Sequence, residues 1–222
     1  MRPFVNLKKN QPEVFRANRQ MVTDLGCFSF VTFELSPGRS SAWGRRTNRP
    51  DAWFKCPETK EEGFRYFAPF LKNFGLYLDQ AYFQTRHVVG KVPREQRFDG
   101  IYTYENKGGV NPHIHMGVFC QAPQDRHQRE EKHCFLLRRA HNASSMDGAD
   151  QLLLRRSSPV PVWHRGPNIV EAIAPNALCH VRSVTADTGM AEYLLKGLTV
   201  GDAAEMTDFR FLSDFYSTHS RH

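Results

Sequence analysis

The chain has 222 residues, enough for one domain, or one domain with extensions, around a sizeable core. Aromatic residues make up 12%, with Phe alone supplying 17, which excludes a disordered, fully solvated chain. Lys and Arg outnumber Asp and Glu by 30 to 23, and the resulting formal charge of +7 favours a polyanionic partner such as nucleic acid.

Five cysteines, Cys27, Cys56, Cys120, Cys134 and Cys179, include no C-x-x-C pair and are odd in number. That argues against a disulfide framework and against a zinc knuckle, and suits a reducing cytoplasm. No apolar run approaches the roughly 20 residues of a membrane helix, and the N-terminus lacks a signal-peptide apolar stretch. No internal repeat or low-complexity segment appears.

Taken in chain order, residues 1–26 are polar and basic, with a helix expected around Pro12–Asp24. Cys27–Glu34 is aromatic and β-branched and reads as a buried strand, ended by Ser36-Pro37-Gly38. Residues 38–57 lack periodicity and read as a basic, aromatic-containing loop. Its Arg39, Arg45, Arg46 and Arg49, with Trp43 and Trp53, are candidates to grip the backbone and stack the bases of single-stranded DNA; a solvated loop with two packed tryptophans is the competing reading. From Glu61 to Phe83 the period turns helical, with Phe64, Phe67, Leu71, Phe74 and Leu78 on one face. Pro69 lies inside that stretch, so the helix is expected to restart there or to kink. Strands are expected over Phe98–Glu105 and His113–Cys120, and a helix over Glu130–His141. Ser158–Asn176 carries four prolines and reads as loop with short strands. Leu178–Val184 reads as another strand and Gly189–Leu198 as a helix; Phe209–His222 carries no assignable pattern. Strands mixed with helices around a central hairpin predict an α+β fold, with helices on one face of an antiparallel sheet.

Two segments carry chemistry. On a strand, side chains alternate, so His113, His115, Gly117 and Phe119 share one face, while Ile114, Met116, Val118 and Cys120 share the apolar one. Two imidazoles then stand roughly 6.5–7 Å apart along the strand, within reach of one divalent ion. A hairpin closing over residues 106–112 sets Glu105 opposite His113, on the same face. Two histidines and a carboxylate leave coordination positions open for water or a phosphate oxygen. Glu34, at the end of the first strand, is a rival carboxylate; two solvated histidines on an exposed face are the alternative to a metal site. In the second segment, Met190, Ala191, Leu194, Leu195 and Leu198 form one apolar arc of a helix. Tyr193 and Lys196 lie opposite that arc, side by side. A lysine beside a tyrosine can stabilise a phenolate or a phosphate transition state; an ordinary surface pair is the alternative.

The order of these features resembles that of the HUH superfamily of replication initiators. A Phe/Thr-rich strand comes first, then an acidic residue before Pro112-His113-Ile114-His115, then Tyr193-Leu194-Leu195-Lys196. The resemblance spans about residues 27–198, with 1–26 as a helical extension, 27–200 as the endonuclease domain and 201–222 as its tail. It implies a five-stranded antiparallel sheet with flanking helices, Mg²⁺ or Mn²⁺ held by His113 and His115 with Glu105 as third ligand, and Tyr193 as nucleophile. The position one turn after Tyr193 is Gly197, which points to a single-tyrosine enzyme, and Phe at position 119 disfavours a relaxase. No G-x-x-x-x-G-K-[ST] motif appears, so no ATP-driven helicase of the viral type is expected on this chain. The implied activity is nicking and rejoining of single-stranded DNA, at a replication origin or hairpin, through a 5′-phosphotyrosine, with host helicase and polymerase as partners in a bacterial cytoplasm. The other readings are a transposase of the same superfamily, a binding module without catalysis, and a metalloenzyme that uses water.

Overall fold

The computed structural model describes residues 12–35, 57, 59–106, 112–140, 169–173, 177–184, 189–199 and 209–217. Five strands form one antiparallel sheet: β1 (Ser29–Leu35), β2 (Asp99–Asn106), β3 (Pro112–Phe119), β4 (Ala177–Ser183) and β5 (Arg210–Phe211), in the order β4-β1-β3-β2-β5. The helices that flank it are α1 (Pro12–Asp24), α2 (Lys60–Tyr82), α3 (Arg126–Arg139), α4 (Ile169–Ile173), α5 (Met190–Thr199) and α6 (Asp214–Ser217). The fold is α+β, as the mixed pattern predicts.

Helix α2 starts at a capping box. Thr59 Oγ1 accepts from the Glu62 amide at 3.2 Å, and Glu62 Oε2 accepts from the Thr59 amide at 3.3 Å. The helix then runs unbroken through Pro69. An interior proline costs a helix about 3 kcal/mol. Phe64 and Phe67 before it and Phe70, Leu71, Phe74 and Leu78 after it are all buried in the same core, each stabilising the fold by roughly 1.5–3 kcal/mol. Tertiary burial on both sides of the proline therefore outweighs the local defect. Helix α3 begins four residues ahead of the expected Glu130. The signal is Asp125, whose carboxylate accepts from the Gln128 amide at 2.8 Å while Gln128 caps the Asp125 amide at 3.0 Å. Ile169–Ile173, expected as loop or strand, is a short helix.

Helices cover both faces of the sheet, rather than the one face expected. The first core lies under α2, α3 and α4 and takes Phe33 from β1, Tyr102 and Tyr104 from β2, Ile114, Met116 and Val118 from β3, and Cys179 and Val181 from β4. The second lies under α5 and α1 and takes Ile101 and Phe119 from the opposite side of β2 and β3, with Val22, Cys27, Met190, Leu194 and Leu195. The apolar arc of the tyrosine helix is what creates this second core. The unassigned tail supplies β5, which pairs with β2 through Phe211↔Ile101, and α6, whose Phe215 packs against the first core.

Buried charge fastens α2 to the start of β2. Asp79 is fully buried; it accepts from Arg97 Nε at 2.9 Å and from the Phe98 amide at 2.9 Å. No helix among the described residues is long and apolar enough to cross a membrane.

Candidate functional site

The β2–β3 hairpin pairs Glu105 with His113 and Thr103 with His115. On the other side of β3, β1 pairs Glu34 with His113 and Thr32 with His115. Cross-strand partners project to the same face. One face of three adjacent strands thus gathers two imidazoles, two carboxylates and two hydroxyls.

Glu105 Oε2 lies 3.5 Å from His113 Nε2 and 3.8 Å from His115 Nε2. Both separations exceed a hydrogen bond. One donor atom from each of Glu105, His113 and His115 lies within 4.8 Å of the other two, so the three could hold a metal ion. Cations bound at about 2.1 Å bring neighbouring donors to about 3 Å of one another, so Glu105 would close on each imidazole by less than about 1 Å. Glu105 and His113 are half-buried and His115 is buried. Glu34, the rival carboxylate, shares the face but does not belong to the group.

Thr32 orients the buried imidazole. Its Oγ1 stands 2.9 Å from His115 Nδ1. With Nδ1–H donating to that hydroxyl, the ring's lone pair is on Nε2, facing Glu105. Histidines that bind metals have such a partner on the other ring nitrogen, which sets tautomer and orientation.

Helix α5 brings Tyr193 to the same place. Met190, Ala191, Leu194 and Leu195 are buried and Tyr193 is 42% exposed, as the helical period predicts. The Tyr193 ring stands edge-on to His115, centroids 4.8 Å apart, and edge-on to Phe30 at 5.5 Å; Phe30 stacks on His115 at 5.5 Å. Gly117 permits this approach. A Cβ there would lie 2.9 Å from Cys27 Sγ, 3.3 Å from Met190 Sδ and 3.5 Å from Leu194 Cδ1. A 2.9 Å ion pair between Arg19 and Glu192 links α1 to the same helix.

Beside Tyr193 a cavity of about 550 Å³ opens between α5 and strands β1 and β4, with Phe30, Thr32, His115, His180, Arg182 and Tyr193 in its lining. The structure thus brings Glu105, His113, His115 and Tyr193 together. Lys196 belongs to α5, and Tyr216, a second tyrosine in the tail, to α6; both side chains lie outside the described residues. The proposed DNA-gripping set, Arg39, Trp43, Arg45, Arg46, Arg49 and Trp53, lies outside them altogether. Sequence reasoning missed Thr32, Phe30, His180 and Arg182. The alternation in β4, where His180 and Arg182 interleave with buried Cys179 and Val181, was a signal for the last two. Nothing local pointed to Thr32, because its role depends on the pairing of β1 with β3.

No family model, no curated protein and no solved structure matches the chain.

Proposed function

We propose that this protein is a metal-dependent endonuclease of the HUH class that cleaves and rejoins single-stranded DNA with Tyr193 as nucleophile. The observation that carries the reading is the meeting of an exposed tyrosine, 4.8 Å ring to ring from His115, with a two-histidine, one-carboxylate group on a single sheet face. A buried tyrosine in the apolar arc of α5 would have been a packing residue; this one faces the candidate ligands.

Glu105, His113 and His115 suit Mg²⁺ or Mn²⁺. Mn²⁺ tolerates the two nitrogens better, and the carboxylate supplies the oxygen that Mg²⁺ prefers. When bound, such an ion supplies positive charge to a non-bridging phosphate oxygen and orients the phosphate. Tyr193 gives up its phenolic proton and its oxygen forms a bond to phosphorus, while the bond from phosphorus to the 3′ oxygen breaks. That oxygen takes a proton and leaves as a free 3′-hydroxyl; the 5′ side stays on Tyr193 as a phosphodiester. The number of phosphodiester bonds is conserved, so a 3′-hydroxyl can reverse the step without ATP. Lys196, three positions on in the sequence, is the proposed cation that favours the phenolate or the transition-state charge. The free 3′ end suits priming by a host polymerase at the origin of a rolling-circle element.

The test is a covalent adduct. The full chain is incubated with a pool of randomised single-stranded oligonucleotides and Mn²⁺, then denatured and resolved by size. A shifted band is expected for the wild type and none for Tyr193→Phe, which keeps the ring and loses only the attacking oxygen. An adduct on Tyr193→Phe, or none on the wild type with Mn²⁺ bound, overturns the reading. Lys196→Ala is expected to slow adduct formation by about 10²–10³ without abolishing it.

A further inference from the structure

Strand β4 places a second polar pair on the face that carries the candidate ligands, and the reaction above makes no use of it. His180 pairs with Thr32 across β1, and Thr32 pairs with His115. His180 therefore stands two strand spacings from His115, roughly 9.5 Å between backbones. Arg182, two residues on, pairs with Phe30. The cavity of about 550 Å³ fills the gap between these rows. His115 of β3 and Tyr193 of α5 line it, as do His180 and Arg182 of β4, on the far side of β1 from His115. Phe30, Met190 and Val184 give it apolar walls.

Volume and lining together define a ligand class. The volume falls in the range of sites for small organic molecules. Apolar and aromatic walls suit a flat ring, because a base that is not stacked in a duplex recovers contact energy on aromatic and apolar side chains. A guanidinium and an imidazole on one strand suit an anionic oxygen group, which the guanidinium can bind through two parallel N–H donors. A flat ring joined to an anionic group is a nucleotide.

We propose that this cavity is a mononucleotide subsite, which takes one deoxynucleotide with its base against Phe30 and Met190 and its phosphate on Arg182 and His180. Because Tyr193 lines the cavity, the bound unit in single-stranded DNA is the one next to the cleaved phosphodiester, and Arg182 and His180 govern which sequence is cut. That placement rests on the nicking reading; the existence of the subsite does not.

The experiment titrates the full chain, without metal, with dAMP, dCMP, dGMP and dTMP, following the side-chain resonances of arginine, histidine and tyrosine by NMR. Thymidine and inorganic phosphate serve as half-ligands. The monophosphates are expected to shift His180, Arg182 and Tyr193 together and to bind more tightly than either half-ligand. Arg182→Ala and His180→Ala are each expected to weaken binding by roughly tenfold, with unchanged circular dichroism. Arg182→Lys, which keeps the charge but loses the planar fork, should fall between wild type and Arg182→Ala. Shifts confined to other residues, equal binding of inorganic phosphate, or wild-type affinity in a folded Arg182→Ala each overturn the subsite. A covalent adduct without nucleotide-induced shifts overturns the subsite alone; shifts without any adduct overturn the nicking reading alone.

Discussion

Replacing Thr32 with Val tests how the candidate metal group is built, because it removes one oxygen and almost no volume. The hydroxyl stands 2.9 Å from His115 Nδ1, and the His115 side chain is only 5% exposed. Leaving a buried N–H without its partner costs about 1–3 kcal/mol. Part of that cost can be avoided by moving the proton to Nε2 or turning the ring, and either change removes the lone pair that faces Glu105. The expected loss of metal affinity is about 10- to 100-fold, the usual effect of deleting a partner behind a metal-binding histidine. At about 1.4 kcal/mol per factor of ten, that equals roughly 1.4–2.8 kcal/mol, in line with the hydrogen-bond figure. The assay is calorimetric titration of Mn²⁺ into wild type, Thr32→Val and Thr32→Ser. Serine keeps the hydroxyl and should retain most of the affinity. Wild-type affinity in Thr32→Val, or an equal loss in both variants, would refute the argument that the hydroxyl sets the imidazole.

Glu105→Ala should raise the metal concentration needed for adduct formation, with Mn²⁺ restoring more activity than Mg²⁺; an unchanged metal dependence would return the role of third ligand to Glu34. Gly117→Ala should displace Cys27 Sγ and crowd Met190 of α5, costing about 1–3 kcal/mol of stability and lowering the adduct yield at full metal occupancy; a folded variant with wild-type yield would show that the close approach does not position Tyr193. Asp79→Ala leaves the Arg97 guanidinium buried without its carboxylate and should cost about 3–5 kcal/mol, read as a lower urea midpoint, with metal affinity unaltered in the folded fraction. Cys27, Cys120, Cys134 and Cys179 are all buried, and burial pushes the Cys27 thiol up to about 12; at pH 8 a thiol reagent should modify none of these four until the protein unfolds, so rapid native labelling of any of them would contradict the packing.

Much of the fold was legible because its signals are local. The 3.6-residue period of Phe64, Phe67, Leu71, Phe74 and Leu78 marks a helix wherever it lies, and the two-residue period from His113 to Cys120 marks a strand with two unlike faces. Glu105 could be matched to His113 because a hairpin joins its strands through a short connection, so register follows from nearby sequence. Tyr193 could be read as facing outward because an α-helix separates its faces by residue spacing alone. What lay beyond the sequence depends on pairing between distant segments. Thr32 and His115 are 83 residues apart, and nothing in either window says that β1 lies between β3 and β4. That strand order set Thr32 behind His115, put Glu34 on the site face but outside the donor group, and brought His180 and Arg182 to the cavity. Pro69 could sit inside a continuous helix only because the core lies against both of its flanks, and β5, two residues long, has no period to read and exists only through its pairing with β2. Periodicity is carried along the chain and survives in any window; which strands adjoin, and hence which side chains face one cavity, is decided by long-range contacts whose free energy no window contains.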